Sequence, residues 1–234
     1  MTHPLDDPVR GSLIGDHAHL AQRRGNILRY PPQISPFISI HEDMTSQDWA
    51  DVAALVQDDS DGASPAAAVF ACVLAPAPEG WSEVWRGEGY QLVGEDVTPQ
   101  PDEEAVRLGP ADIADMLALV ARTEPGPFAP HTIELGTYLG IRRGGALVAM
   151  AGERFSPPGW VEVSAVCTDP AYRGQGLAGR LIRAVAADIR SRDAIPFLHV
   201  TQVNTGARRL YDALGFRQRR VVEFAAILPP DPKE

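Results

Sequence analysis

The chain has 234 residues, 44% of them hydrophobic and 7% aromatic, and a formal net charge of −10. That length and composition allow one large domain or two small ones with a real core, and an acidic chain is a poor candidate for non-specific nucleic-acid binding. No apolar run approaches the roughly 18–20 residues of a membrane span, Met1 to Gly15 lacks a basic-then-apolar leader pattern, and two cysteines, Cys72 and Cys167, make no disulfide framework; a cytoplasmic protein with free thiols is expected.

The first thirty residues mix Gly, His and Arg, and Asp16 to Leu20 reads as the start of a short helix. The pair His17 and His19 invites a metal reading, but no third ligand is evident, so no metal is expected. Phe37 to Ile40 reads as a strand. Ser46 to Val56 reads as a helix with Ser46 as N-cap and Trp49, Val52, Ala53 and Val56 on one face. Ala66 to Leu74 reads as a buried strand, Ala75 to Gly89 as a break, and 90–94 as a further strand. Trp81, Trp85 and Tyr90 read as core or interface aromatics, with a pocket wall as the other reading. A segment with two prolines and three acids, Thr98 to Glu104, marks an expected boundary between a region 1–104 and a domain 105–234. Charge divides the same way: 18 acids face 5 arginines up to Glu104, and 13 acids face 16 bases from Ala105 onward. A mildly basic C-terminal half suits an anionic ligand.

Beyond that boundary the pattern is more regular. Val106 to Leu108 reads as a short strand, 111–122 as a helix with Ile113, Met116, Leu117 and Val120 inward, and Glu124 to Phe128 as a Pro/Gly loop. Strands at 136–142 and 146–155 are joined by Arg143-Gly144-Gly145, a hairpin signal. A strand at 160–168, a helix at 176–191, a strand at 196–200, a helix at 205–214 and a strand at 221–228 complete an order β-α-β-β-β-α-β-α-β. Between the strand at 160–168 and the following helix lies Asp169-Pro170-Ala171-Tyr172-Arg173-Gly174-Gln175-Gly176-Leu177-Ala178-Gly179-Arg180. A glycine-rich turn entering a helix aims backbone N–H groups and the positive end of the helix dipole at one spot, a ready phosphate site. It is neither a dinucleotide fingerprint nor a Walker loop.

Arg173-x-x-Gly176-x-Ala178, the preceding Val166-Cys167-Thr168-Asp169-Pro170, and Asn204 to Phe216 with Ala207, Tyr211 and Gly215 in place resemble the motifs of the GNAT superfamily of acyl-CoA-dependent N-acyltransferases. The resemblance covers about 105–228. It implies an α+β fold of the α/β sandwich type, with a mixed, mostly antiparallel sheet flanked by helices. The region 1–104 is similar, less specifically, to the extra N-terminal region of a bacterial subgroup; a degenerate copy of the fold is one expectation for it, although no second phosphate motif occurs there.

The resemblance further implies acetyl-CoA as co-substrate. Backbone N–H groups of Gly174, Gln175, Gly176, Leu177, Ala178 and Gly179 would hold its pyrophosphate, with charge added by Arg173 and Arg180. Val166, Cys167 and Thr168 would pair with the pantetheine arm, Asn204 would bond it from the facing helix, and a backbone N–H near Val166 or Cys167 would stabilise the oxyanion. Tyr211 is the expected general acid for the thiolate. Glu162, eleven residues before Arg173, is the expected base, with Glu153 as its rival and a water relay as the other route. Glu162, Ser164, Val166 and Thr168 are expected on one strand face. Cys167 reads as a small apolar residue and not as a nucleophile. The loop 124–128 is a weaker acceptor-site candidate.

The expected activity is acetyl transfer to a primary amine of a small molecule or peptide. A non-catalytic acyl-CoA-binding module, and an acyltransferase with a longer acyl donor and an amino-acid acceptor, are the alternatives. No nucleic-acid or membrane partner is expected, and the chain is a monomer or homodimer.

Overall fold

A computed structural model describes residues 3–41, 43–57, 67–71 and 76–230, with backbone only for 67–71. Cys72 and the ends of the expected strand at 66–74 lie outside the described residues.

The chain opens with α1 (Pro8–Ile14), which begins where it does because the Asp7 carboxylate accepts from the Arg10 N–H at 2.9 Å and Pro8 occupies the first turn. Three short strands, β1 (Gln22–Arg24), β2 (Ile27–Arg29) and β3 (Ile38–Ser39), make a small antiparallel sheet. Helix α2 (Ser46–Gln57) buries Trp49, Val52, Leu55 and Val56. The main chain of β4 (Ala67–Ala71) and β5 (Ser82–Val93) then enters a second, larger sheet.

The later elements are β6 (Val106–Arg107), α3 (Ile113–Thr123), β7 (Tyr138–Arg143), β8 (Ala146–Glu153), β9 (Trp160–Thr168), α4 (Leu177–Arg190), β10 (Ile195–Thr201), α5 (Thr205–Leu214) and β11 (Arg217–Leu228). They follow the expected order. The eight-stranded sheet runs β4-β11-β5-β10-β9-β8-β7-β6, antiparallel except where β9 lies parallel to β10. The fold is α+β, a mixed and mostly antiparallel sheet flanked by helices.

Strand β5 reaches back over much of the stretch read as a break. Its outer half is exposed on both faces, so it carries no apolar alternation to read. Its glycines answer to crowding: a Cβ on Gly89 would overlap the Phe224 ring and stand 2.5 Å from the Val200 carbonyl. Because β5 pairs with both β10 and β11, residues on either side of position 104 share one sheet.

Helix α4 packs Leu177, Leu181, Ile182, Val185 and Ile189, the stripe its sequence predicts, against Val148, Val161, Val163 and Leu198. On the other face α3 brings Met116 and Leu119 against Tyr138, Met150 and Cys167; Leu119 is buried where Leu117 was expected to be. Leu5, Val9, Leu13, Tyr30 and Phe37 share a third cluster with Leu135, Phe155 and Phe197, which ties the N-terminal segment to the large sheet.

Candidate functional site

β9 and β10 pair only between 160–162 and 195–197 and then part, leaving a slot between Val163–Thr168 and Leu198–Thr201. A bulge shapes its near wall. Ala165 has φ 51°, and the β8 register jumps from Met150↔Cys167 to Gly152↔Ser164, so Ala165 and Val166 have no partner in it. The bulge also reverses strand parity. Val161, Val163 and Val166 pack on the α4 side, whereas Ala165 and Cys167 pack on the α3 side. Glu162 and Val166 therefore do not share the face that simple alternation assigned them.

The slot is part of a cavity of about 910 Å³. One end is the turn after β9. Gly174 and Gly176 have φ of 78° and 73°, and a Cβ on either would meet no atom within 4 Å, so the turn faces open space. Among the described residues no acceptor meets the N–H groups of 174–179; the first bond of α4 runs from Arg180 N–H to the Gly176 carbonyl. Ala178 and Gly179 line the cavity here, Gln175 does not, and the Leu177 side chain turns into the core. Arg173 lines it, with Nε on the Thr168 carbonyl at 3.3 Å. Arg180 points elsewhere: Asp102 takes its Nε and Nη2 at 2.6 and 2.7 Å, and Glu104 takes Nη2 at 2.6 Å. The residue expected to add charge beside Arg173 is thus held by the acidic segment 102–104.

Midway along the cavity stand Thr168, Asn204 and Tyr211. Thr168 Oγ1 is buried and unpartnered among the described residues. Asn204 caps α5, accepting the Ala207 N–H at 3.1 Å, which leaves its Nδ2 for other use. Tyr211 is 8% exposed, packed edge-on against Phe216. Burial and the nearby Glu162 carboxylate push its phenol up to about 12. It is therefore a protonated donor at neutral pH.

The far end is walled by Phe37, Trp85, Arg154, His199 and Phe224. Glu162 lies directly behind this wall and is wholly buried. Arg154 Nε and Nη2 donate to its two oxygens at 2.8 and 2.7 Å, and His199 Nδ1 donates to Oε1 at 2.6 Å. Burial by itself raises this carboxyl, but the Arg154 charge and the hydrogen bonds from Arg154 and His199 outweigh it and hold the group at about 2. The Arg154 guanidinium lies 4.8 Å from the Phe37 and Phe155 ring centres. Its Nη1 has no acceptor among the described residues.

Glu153 is placed differently. Its carboxylate accepts from the Thr137 N–H and from Arg192, burial raises it, and it does not line the cavity. Cys167 lines the cavity beside Thr123, and burial pushes its thiol up. His17 is bonded to the Tyr30 hydroxyl at 2.8 Å, and among the described residues no cluster could hold a metal ion. Trp81 packs on Trp49 at 4.9 Å, and Tyr90 carries the Arg208 guanidinium at 4.0 Å. The loop at 124–127 lines the cavity rim, and Glu124 adopts a left-handed φ of 46°. Two of the three non-glycine residues with positive φ among the described residues, Glu124 and Ala165, thus border this cavity.

Sequence reading missed Arg154 and His199. A signal existed for His199: it is a lone titratable residue inside the apolar strand Phe197 to Val200. None pointed to Phe37 or Phe224.

Residues 138–225 match the profile of the FR47-like protein family. The chain is 34% identical over 131 residues to the N-alpha-acetyltransferase RimI of Mycobacterium tuberculosis, covering 50% of this chain and 82% of that protein. It is 39% identical over 54 residues to the ribosomal protein bS18-alanine N-acetyltransferase of Haemophilus ducreyi, covering 23% of this chain and 37% of that one. Among solved structures, a GNAT-family protein from Novosphingobium aromaticivorans is similar over 98% of this chain and 100% of its own, at 37% identity and a TM-score of 0.85. A Drosophila protein at 16% identity, TM-score 0.63, covering 90% of this chain and 79% of its own, shares the fold.

Proposed function

The chain belongs to the GNAT family of N-acyltransferases, and on that premise we propose that it transfers the acetyl group of acetyl-CoA directly to a primary amine of a small molecule or peptide. The observation that carries this reading is the run of unpartnered N–H groups at 174–179, set on the N-terminus of α4 and continuous through one slot with Tyr211. Such a turn fits a pyrophosphate. The slot beyond it, lined by Thr168 and Asn204, fits an amide-bearing chain such as pantetheine. Acetyl-CoA would supply the activated acyl thioester.

In this reading Tyr211, held protonated at neutral pH, donates its proton to the departing sulfur. The bulge at Ala165 presents backbone N–H groups to the acyl oxygen. Glu162 stays an anion throughout: its three donors leave it a poor proton acceptor. Water in the cavity takes the amine proton, and Glu162 acts by orienting Arg154 and by its field at Tyr211. Glu153, bonded outside the cavity, supports the strand end.

The amine enters at the end walled by Phe37, Trp85, Arg154 and Phe224. The mycobacterial relative's name suggests an α-amine, and a peptide N-terminus is the first acceptor to try. Titration calorimetry with CoA, followed by mass spectrometry of peptide and alkylamine panels with acetyl-CoA, tests the reading. Absence of CoA binding would sink it.

A further inference from the structure

Behind the acceptor wall one line of side chains crosses the sheet. Arg219 of β11 donates Nη2 to Asp6 at 2.6 Å and Nη1 to Gln91 Oε1 at 2.7 Å. Gln91 of β5 turns its Nε2 to the Leu5 carbonyl at 2.8 Å and to His199 Nε2 at 3.1 Å. His199 Nδ1 meets Glu162 Oε1 at 2.6 Å, and Arg154 closes the line on the same carboxylate. Gln91 is 1% exposed and Glu162 0%.

The donors in this line have only one consistent direction. A guanidinium donates and never accepts, so Gln91 must face Arg219 with its oxygen. Its amide NH₂ then faces Leu5 and His199. A ring nitrogen opposite an NH₂ must accept, so the His199 proton sits on Nδ1, toward Glu162. A second ring proton would set N–H against N–H in a buried site. The titratable and charged groups around the line are Asp6 of the N-terminal segment, Tyr30 after β2, Arg219 of β11, Glu162 of β9, Arg154 after β8, Tyr138 of β7 and Tyr211 of α5.

We propose that Gln91 is a positioning residue for acetyl transfer: it holds His199 as the neutral Nδ1–H tautomer and, through Glu162, sets the angle at which Arg154 offers Nη1 to an oxygen on the amine acceptor. The kinetic part rests on the N-acetyltransferase reading above; the tautomer part stands without it. With Nε–H and one N–H of Nη2 spent on Glu162, Arg154 has both N–H bonds of Nη1 and the second of Nη2 left to give. A donor pair beside the reacting centre suits a carbonyl or carboxylate next to the amine and repels the amine itself.

The tests are ¹⁵N NMR of the wild-type imidazoles and steady-state kinetics of Gln91→Glu and Gln91→Leu. In the wild type His199 shows a protonated Nδ1 and a bare Nε2; the opposite tautomer overturns the proposal even if neither variant folds. Gln91→Glu places an acceptor opposite Nε2 and brings on the doubly protonated ring. Its KM for an alanyl peptide amide rises about tenfold, the size of one lost hydrogen bond. KM for butylamine, kcat at saturation and CoA affinity stay within about twofold of wild type. Equal KM changes for both amines, or none, overturn the positioning role. If the wild type acetylates neither amine, the enzymatic reading fails while the NMR result still decides the tautomer.

Discussion

Arg154 and Glu162 meet in a two-bond pair, Nε to Oε2 at 2.8 Å and Nη2 to Oε1 at 2.7 Å, with the carboxylate fully buried and the guanidinium side chain 12% exposed. Removing one partner strands a buried charge. Arg154→Met is expected to cost about 3–5 kcal/mol, whereas Arg154→Met with Glu162→Met recovers about half of that loss. Urea denaturation of the three proteins measures both. Equal stability of the single variant and wild type would show that water reaches Glu162.

The same carboxylate sets an acid limit. Its ordinary value of 4.5 falls to about 2 in the folded chain. A lowered carboxyl stabilises fully above its unfolded value and loses that contribution as pH falls through the folded one. Wild-type stability should therefore decline between about pH 4.5 and 2, and Glu162→Gln should flatten that part of the curve. Chemical denaturation across this window checks the slope.

Tyr211 is held protonated by burial first and by the Glu162 field second. Tyr211→Phe should lower kcat by about 10- to 1,000-fold while leaving CoA affinity nearly unchanged. Glu162→Gln removes the second cause, so the alkaline fall of kcat should move to lower pH. An unaltered alkaline limb in that variant would separate Tyr211 from the proton transfer.

At the phosphate end, Gly176 is the test position. It holds φ 73° as the residue that caps α4, and a Cβ added there would meet nothing within 4 Å. Gly176→Ala should lower stability by about 1–2 kcal/mol through left-handed strain. It should also weaken CoA binding, because the methyl occupies the space the turn opens. Calorimetry of CoA binding alongside thermal melting separates these two effects. By contrast, Asp102→Ala leaves the solvent-exposed Arg180 on Glu104 and should change stability by only about 1 kcal/mol or less, despite the two short bonds lost.

Much of this was legible in the residues. The α4 stripe, the glycine turn and the α5 segment with Asn204 and Tyr211 are local patterns, each set by neighbours within a few positions, and the structure brings the turn, Asn204 and Tyr211 to one cavity. The outer part of the strand at 82–93 escaped notice, and only 90–94 was read as strand, because the exposed half leaves no periodic trace. The face assignment of Glu162 failed for a related reason: one bulged residue, Ala165, inverts every side chain that follows, and nothing in Val163-Ser164-Ala165-Val166 announces it.

The sequence alone carried the element order after position 105, because helix periodicity and turn chemistry act over short spans of chain, and its resemblance to a known family carried the fold. Only the tertiary structure decided what surrounds the reacting end. Phe37, Trp85, Arg154, His199 and Phe224 come from five separate segments, and two of them, Arg154 and His199, are the partners of Glu162. Whether a buried carboxylate is a base or a fixed anion depends on which donors face it, and that is a property of packing across strands rather than of any stretch of sequence.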